Sequence, residues 1–160
     1  MVFTKKLKTT TINTSHLKQI KQNIQKQSPH PKKVQIVAVT KTFNFSAILS
    51  AQKQQIFNIG ESRVQETKQK IKNKKINTQT KIHLIGHLQT NKVNQAVKIY
   101  NVIQSVDSIK LLDKINQIAD IQQKKQKVFL QINITKNITQ KGLNSSEVFE
   151  AAEHATQLPN

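Results

Sequence analysis

Lys41 is the residue whose type and place point first to chemistry. It directly follows Val34-Gln-Ile-Val-Ala-Val-Thr40, a β-branched run that reads as a strand buried on both faces. A lysine held in a pocket at the end of such a run loses hydration, which lowers its pKa and frees the neutral amine. That amine can attack an aldehyde and form a Schiff base. The competing reading is a lysine that simply marks the end of a strand. The three glycines, Gly60, Gly86 and Gly142, all fall at or near strand C-terminal ends. Glycine there permits positive φ and close backbone approach, as a ligand site or an ordinary turn requires. His83 and His87 stand four apart, a spacing that puts both on one face of an extended chain. A metal needs a third ligand and none is evident, so a hydrogen-bonded packing role competes for His83. Neither GxGxxG, GxxxxGK[ST] nor GxSxG occurs.

These residues need a scaffold, and the hydrophobic periodicity supplies one. Strand-like runs are read at Val34–Thr40, Ile56–Gly60, Lys81–Gly86, Val102–Val106 and Val128–Ile134. Amphipathic helices lie between them. The first places Phe45, Ile48, Leu49 and Ile56 near one face. The next carries Val64 and Ile71, with Glu61 and Glu66 near its start, where the helix dipole favours acids. Another runs from about Asn91 with Val93, Val97 and Tyr100 at helical spacing. Ser108 reads as the N-cap of a helix bearing Leu111, Leu112, Ile115, Ile118 and Ile121. A helix over about Ser15–Gln27 leads, set off by Ser28-Pro-His-Pro31, and a last one runs from near Ser145 to Leu158. Strands alternating with helices imply a parallel sheet with right-handed crossovers. Ligands of such sheets bind at the strands' carboxyl ends. That rule gathers Lys41, Glu61, Ser62, the stretch His87–Lys92, Asp107 and Asn133 on one rim.

Composition narrows the classes. The chain has 160 residues, which suggests one domain. A complete (β/α)₈ barrel normally needs about 200 residues or more. Hydrophobic residues make up 36%, so the core must be lean. The absence of cysteine excludes disulfides, thiolate nucleophiles and Cys-ligated metals. Twenty-six basic residues oppose eight acidic ones, a formal charge of +18, and Arg63 is the one arginine. Sequence-reading nucleic-acid binders use arginine forks and stacking aromatics; aromatics are 4% here. The charge reads as compositional bias toward Lys, Asn, Ile and Gln on solvated faces, with no specific nucleic acid expected. No run is long enough for a membrane span. A cytoplasmic protein is expected, with a mitochondrial leader the alternative for the basic, Thr-rich N-terminus.

Five strings, in order, resemble the pyridoxal phosphate homeostasis family. They are Ile36-Val-Ala-Val-Thr-Lys-Thr42, Ile59-Gly-Glu-Ser-Arg-Val-Gln-Glu66, His83-Leu-Ile-Gly-His-Leu-Gln-Thr-Asn-Lys92, Ser105-Val-Asp107, and Gln131-Ile-Asn-Ile134 with Lys141-Gly142. The resemblance covers roughly residues 15–160. It implies a partial TIM-type α/β barrel like the N-terminal domain of alanine racemase (fold type III), with about five of eight βα units. It implies pyridoxal 5′-phosphate (PLP) as cofactor, held as a Schiff base by Lys41, with Ser62, His83, Gly86 and Asn133 as cofactor-binding residues. Gly60, Glu61, Gln89, Asn91, Lys92, Lys141 and Gly142 complete the family motifs. Family members are similar in being carriers or buffers of PLP without assigned catalysis, serving PLP-dependent client enzymes, and racemase activity is not implied.

Departures accompany the resemblance. Ser62 stands where the family usually has asparagine, and serine cannot reproduce a side-chain amide. Phe43 replaces a position that is often basic. The family's three further strands, with its phosphate-binding groups, have no counterpart in the 160 residues. The expectation is therefore one incomplete barrel domain over 1–160 with a flexible stretch at 1–14. It is read as a truncated or frameshifted product, or a fragment, and as a monomer prone to aggregate through unpaired sheet edges. A basic nucleic-acid-binding module and a non-functional remnant are the competing functions.

Overall fold

The computed structural model describes residues 11–135 and 139–160. Helix α1 (Thr14–Gln27) comes first. Five βα units follow: β1 (Val37–Val39), α2 (Phe45–Lys53), β2 (Asn58–Glu61), α3 (Val64–Ile71), β3 (Lys81–Leu84), α4 (Val93–Ile99), β4 (Val102–Val106), α5 (Ile109–Ile121), β5 (Lys127–Leu130) and α6 (Val148–Gln157). The strands form one parallel sheet in sequence order, β1-β2-β3-β4-β5. That order is the one a (β/α) barrel rolls up from, whereas a doubly wound sheet reverses direction at a switch point. Among the described residues the sheet does not close, and β1 and β5 are its edges.

Alternation along each strand sorts the side chains onto two faces. Ile82 and Leu84 of β3 and Ile103 of β4 pack with Val93, Ala96 and Val97 of α4 and Leu111, Leu112 and Ile115 of α5. A second cluster joins Leu17, Ile48, Ala51, Ile56 and Ile59 under α1 and α2. Helices α1, α2 and α5 start on side-chain caps. Asn13, Asn44 and Ser108 accept from the backbone N–H of His16, Ser46 and Leu111 at 3.0, 3.0 and 3.3 Å.

The helices end without glycine. Gln55, Asn73 and Gln123 follow α2, α3 and α5 with φ of 60°, 56° and 50°. After α2, Ile56 N–H donates to Ala51 O and Gln55 N–H to Gln52 O. After α5, Lys124 N–H donates to Ala119 O and Gln123 N–H to Asp120 O. This paired pattern satisfies the last helical carbonyls and usually favours glycine, because other residues meet a Cβ clash in the left-handed region. Of the three glycines, Gly142 alone has positive φ, at 144°.

Several expectations are corrected by the packing. The first, second and fifth strands are displaced from or shorter than their apolar runs, and the third ends at Leu84. Leu49 and Ile121 are 41% and 69% exposed, outside the helical stripes assigned to them. Ile56 lies beyond the end of α2, and Glu61 belongs to the end of β2 rather than the start of a helix. The last helix starts at Val148. Of the stretch expected to be flexible, residues 1–10 lie outside the described residues. Ile12 N–H donates to Ser50 Oγ at 2.8 Å, and Asn13 and Thr14 begin α1.

Candidate functional site

Lys41 sits on a tight turn just past the C-terminal end of β1. Thr40 N–H donates to Gly60 O at 2.9 Å, continuing the β1–β2 ladder, and Phe43 N–H closes the turn on Thr40 O at 3.2 Å. Thr42, the residue after Lys41, has φ 67°, a region that β-branched side chains rarely enter. The Lys41 side chain is exposed, not buried as its run suggested. The reason is architectural: β1 is an edge strand of an open sheet, and Val39 beside it is 49% exposed. The amine of Lys41 has no hydrogen-bond or ion-pair partner among the described residues.

Beneath this turn lies a buried ionic cluster that sequence reasoning did not find. Thr40 and Glu61, one residue past β1 and at the end of β2, point to the helix side. Lys70 reaches them from α3, and its side chain is fully buried. Lys70 Nζ donates to Glu61 Oε1 at 2.6 Å and to Thr40 O at 2.8 Å. Thr40 Oγ1 donates to the same Glu61 Oε1 at 2.5 Å. Glu61 Oε2 is buried with no partner among the described residues. Glu66, one helical turn before Lys70, lies 3.8 Å from its ammonium. Glu66 Oε1 accepts the N–H of Thr42 at 2.7 Å. Behind the cluster, Tyr100 OH meets Thr67 Oγ1 at 2.7 Å, and Thr67 Oγ1 donates to Arg63 O. Burial pushes the Tyr100 hydroxyl up to about 12, with the Glu61 and Glu66 charges adding to the rise.

The other expected residues follow the strand ends in turn. Ser62 follows β2 and Gly86 follows β3. A Cβ on Gly86 would lie 2.3 Å from Ser62 O, so the two backbones are in direct contact. Ser105 Oγ of β4 donates to Gly86 O at 2.7 Å, tying three strand ends together. Ser62, Gly86, Gln89 and Lys92 line one open cleft of about 660 Å³, together with Glu66 and His87. Gln89, Asn91, Asn133, Lys141 and Gly142 line a neighbouring cleft of about 780 Å³, together with His87 and Asp107. Lys41 lines neither. The sheet thus places the expected residues on one rim but divides them into a turn and two clefts.

Three of them carry structural contacts of their own. His83, within β3, bonds through Nε2 to Asn58 Oδ1 at 3.2 Å and through Nδ1 to Gln104 Nε2 at 2.9 Å. Gln104 as donor makes Nδ1 the acceptor and leaves the proton on Nε2. Burial, with Lys81 nearby, holds the ring below its usual pKa. His87 bonds instead to Asp107 Oδ2 at 3.0 Å, so the two histidines share no partner. Asn133 donates to Gln140 O and accepts from Thr135 N–H, which organises its own loop. Gly142 packs on that asparagine, where a Cβ would lie 2.6 Å from Asn133 N.

The turn, the rim and the sequential parallel sheet define part of a barrel of the alanine racemase type. Residues 15–160 match the alanine racemase N-terminal domain, and the chain belongs to that family. Among curated relatives it is similar to the pyridoxal phosphate homeostasis protein of Vibrio alginolyticus, at 30% identity over 152 residues. That match covers 92% of this chain and 65% of the relative, so the chain spans just under two thirds of its length. Among solved structures it is similar to PipY of Synechococcus elongatus PCC7942. Without PLP, PipY matches at 29% identity and a TM-score of 0.76, over 86% of this chain and 63% of PipY. With PLP bound, it matches at 27% identity and a TM-score of 0.70, over 88% and 64%.

Glu61 and Glu66 lie inside Ile59-Gly-Glu-Ser-Arg-Val-Gln-Glu66, yet neither shows its role there. Lys70 read as one lysine among many in Val64-Gln-Glu-Thr-Lys-Gln-Lys-Ile71. The available signal was the Glu66/Lys70 spacing of four on a helix, together with an acid ending an apolar strand.

Proposed function

We propose that this chain holds pyridoxal 5′-phosphate through Lys41 and serves cellular PLP homeostasis as a carrier or buffer, without catalysis of its own. The observation that carries the reading is the Lys41 turn: an exposed amine without a partner among the described residues, at the C-terminal end of β1, on a backbone held by buried groups. At the aldehyde end of such a group the donor set fits, while the family's phosphate-binding groups have no counterpart in these 160 residues. The set combines a primary amine, the Ser62 hydroxyl, and a close Ser62–Gly86 backbone approach, with a neutral His83 within the same strands. The bound cofactor supplies an aldehyde, which a primary amine attacks. Lys41 provides that amine. Ser62 and Gly86 shape the adjacent rim. His83 keeps its ring fixed and uncharged between Asn58 and Gln104. Asn133 contributes through the loop that presents Lys141. Support also comes from the names of the relatives and from PipY with PLP bound. The recipients in this reading are PLP-dependent enzymes in the cytoplasm, and the chain acts as a monomer. Among the described residues, no helix is long and apolar enough to cross a membrane.

The test is covalent trapping. The protein is incubated with substoichiometric PLP, reduced with borohydride and mapped by mass spectrometry. Lys41 is expected to carry most of the label, and Lys41→Ala to lose the visible absorption band that accompanies it. Label spread evenly over the surface lysines would sink the proposal.

A further inference from the structure

We infer that Glu66 and Lys70 are positioning residues that set the orientation of Lys41 through the backbone on either side of it. The inference rests on the reading of Lys41 as the cofactor lysine and deepens it. The contacts bracket Lys41. On its N-terminal side, Thr40 is held three times: its N–H by Gly60 O, its carbonyl by Lys70 Nζ, and its hydroxyl by Glu61 Oε1. On its C-terminal side, the Thr42 N–H is held by Glu66 Oε1 at 2.7 Å. Lys70 joins the two sides, since its ammonium faces both Glu61 at 2.6 Å and Glu66 at 3.8 Å. The Lys41 amine itself makes no hydrogen bond or ion pair with Glu61, Glu66 or Lys70 among the described residues.

Two physical points argue that this arrangement does more than pack α3 on the sheet. A fully buried ion pair is a poor way to gain stability, because desolvation offsets most of the attraction. Well-packed apolar side chains would fasten α3 at least as firmly. A β-branched residue at φ 67° is also strained and persists where its surroundings hold it. Here the Glu66 carboxylate holds it, and the Lys70 charge fixes that carboxylate. A turn without this hold would relax Thr42 to negative φ and swing Lys41 off the rim.

Glu66→Ala and Glu66→Gln separate position from packing, because glutamine keeps an acceptor for the Thr42 amide. Two readouts are taken on the full chain. The first is amide hydrogen exchange at Thr42, with β4 as an internal control for the fold. Glu66→Ala is expected to speed Thr42 exchange roughly tenfold, with β4 unchanged, and Glu66→Gln to stay close to the parent. The second is PLP labelling after borohydride reduction, as the ratio of Lys41 to the exposed Lys110 on α5. Glu66→Ala is expected to cut that ratio about fivefold, and Glu66→Gln to restore it. Lys70→Met should act in the same direction, and if it does not fold, the Glu66 pair carries the test. Unchanged Thr42 exchange in Glu66→Ala overturns the inference whatever the labelling shows. Faster exchange with an unchanged ratio overturns the link to Lys41 and leaves the cofactor reading intact. A parent ratio near one overturns the cofactor reading instead, and the exchange result still decides whether Glu66 holds the turn.

Discussion

The two faces of the sheet are built on opposite principles. On the helix side, Ile59, Ile82, Leu84 and Ile103 lie under α1–α5 and are at most 5% exposed. The charged groups there, Glu61 and Lys70, are buried with them and neutralise each other. On the other face the same strands present Val39, Asn58, Gly60, His83, Gln104 and Phe129. Val39 and Phe129, on the two edge strands, are 49% and 55% exposed, and Asn58, His83 and Gln104 form a hydrogen-bonded row between them. One face is a finished core, and the other is the open, concave-side wall of the five-stranded sheet among the described residues. Stability therefore belongs to the helix side, while the rim chemistry sits where the two faces meet.

Truncating one residue on each face gives the largest expected contrast. Leu84→Ala removes a fully buried side chain from the centre of the core. A cost of about 2–5 kcal/mol follows for such a cavity. Val39→Ala, on the open face, should stay within about 0.5 kcal/mol of the parent. Urea unfolding of both variants measures the difference. Equal costs would mean that the open face is covered in solution.

A smaller contrast separates two glycines. A Cβ on Gly86 would lie 2.3 Å from the backbone oxygen of Ser62, so Gly86→Ala forces two strand ends apart. A loss of roughly 1–3 kcal/mol is expected, as for overpacked sites. A Cβ on Gly60 would meet the side-chain methyls of Ile85 and Val37 at 3.2 Å, which can give way. Gly60→Ala should therefore cost less than Gly86→Ala in the same unfolding assay, and the reverse order would refute the close Ser62–Gly86 contact.

The helix-side architecture was largely legible because periodicity reports burial. Val102–Val106 matches β4 residue for residue, Ser108 caps α5, and Val93, Val97 and Tyr100 are buried together as their spacing implied. Lys41 and its rim position were legible too, since an apolar run ending in a charge has a direction. Its exposure was not, because burial of a strand end depends on neighbours across the sheet that no local pattern records. Lys70 was the most opaque residue. In a chain with a +18 formal charge, a buried lysine looks like any other. Its partners lie 9 and 30 residues away, brought together by the crossover alone. The helix ends were hidden for a related reason: Gln55 and Gln123 do the work usually signalled by glycine.

The finest difference between the faces is one of proton linkage, and it centres on His83. Its ring is neutral, donating from Nε2 to Asn58 and accepting at Nδ1 from Gln104. Protonation would place a second donor against the Gln104 amide and a charge near Lys81 inside the sheet. Burial and, secondarily, Lys81 hold the folded pKa below the ordinary imidazole value of about 6.5. The unfolded chain therefore binds more protons than the folded one as pH falls through that value, and stability rises with pH in this window. The His83 contribution is fully present above about pH 6.5 and is lost as pH drops toward the folded pKa. His83→Gln should leave the melting temperature at pH 7.5 little changed and flatten its decline between pH 6.5 and 5. Every other ionisable group is common to the two proteins, so the difference between the two curves isolates His83. Parallel curves would show that the ring is not held neutral in the fold, and would remove the polar row as a feature that distinguishes the open face.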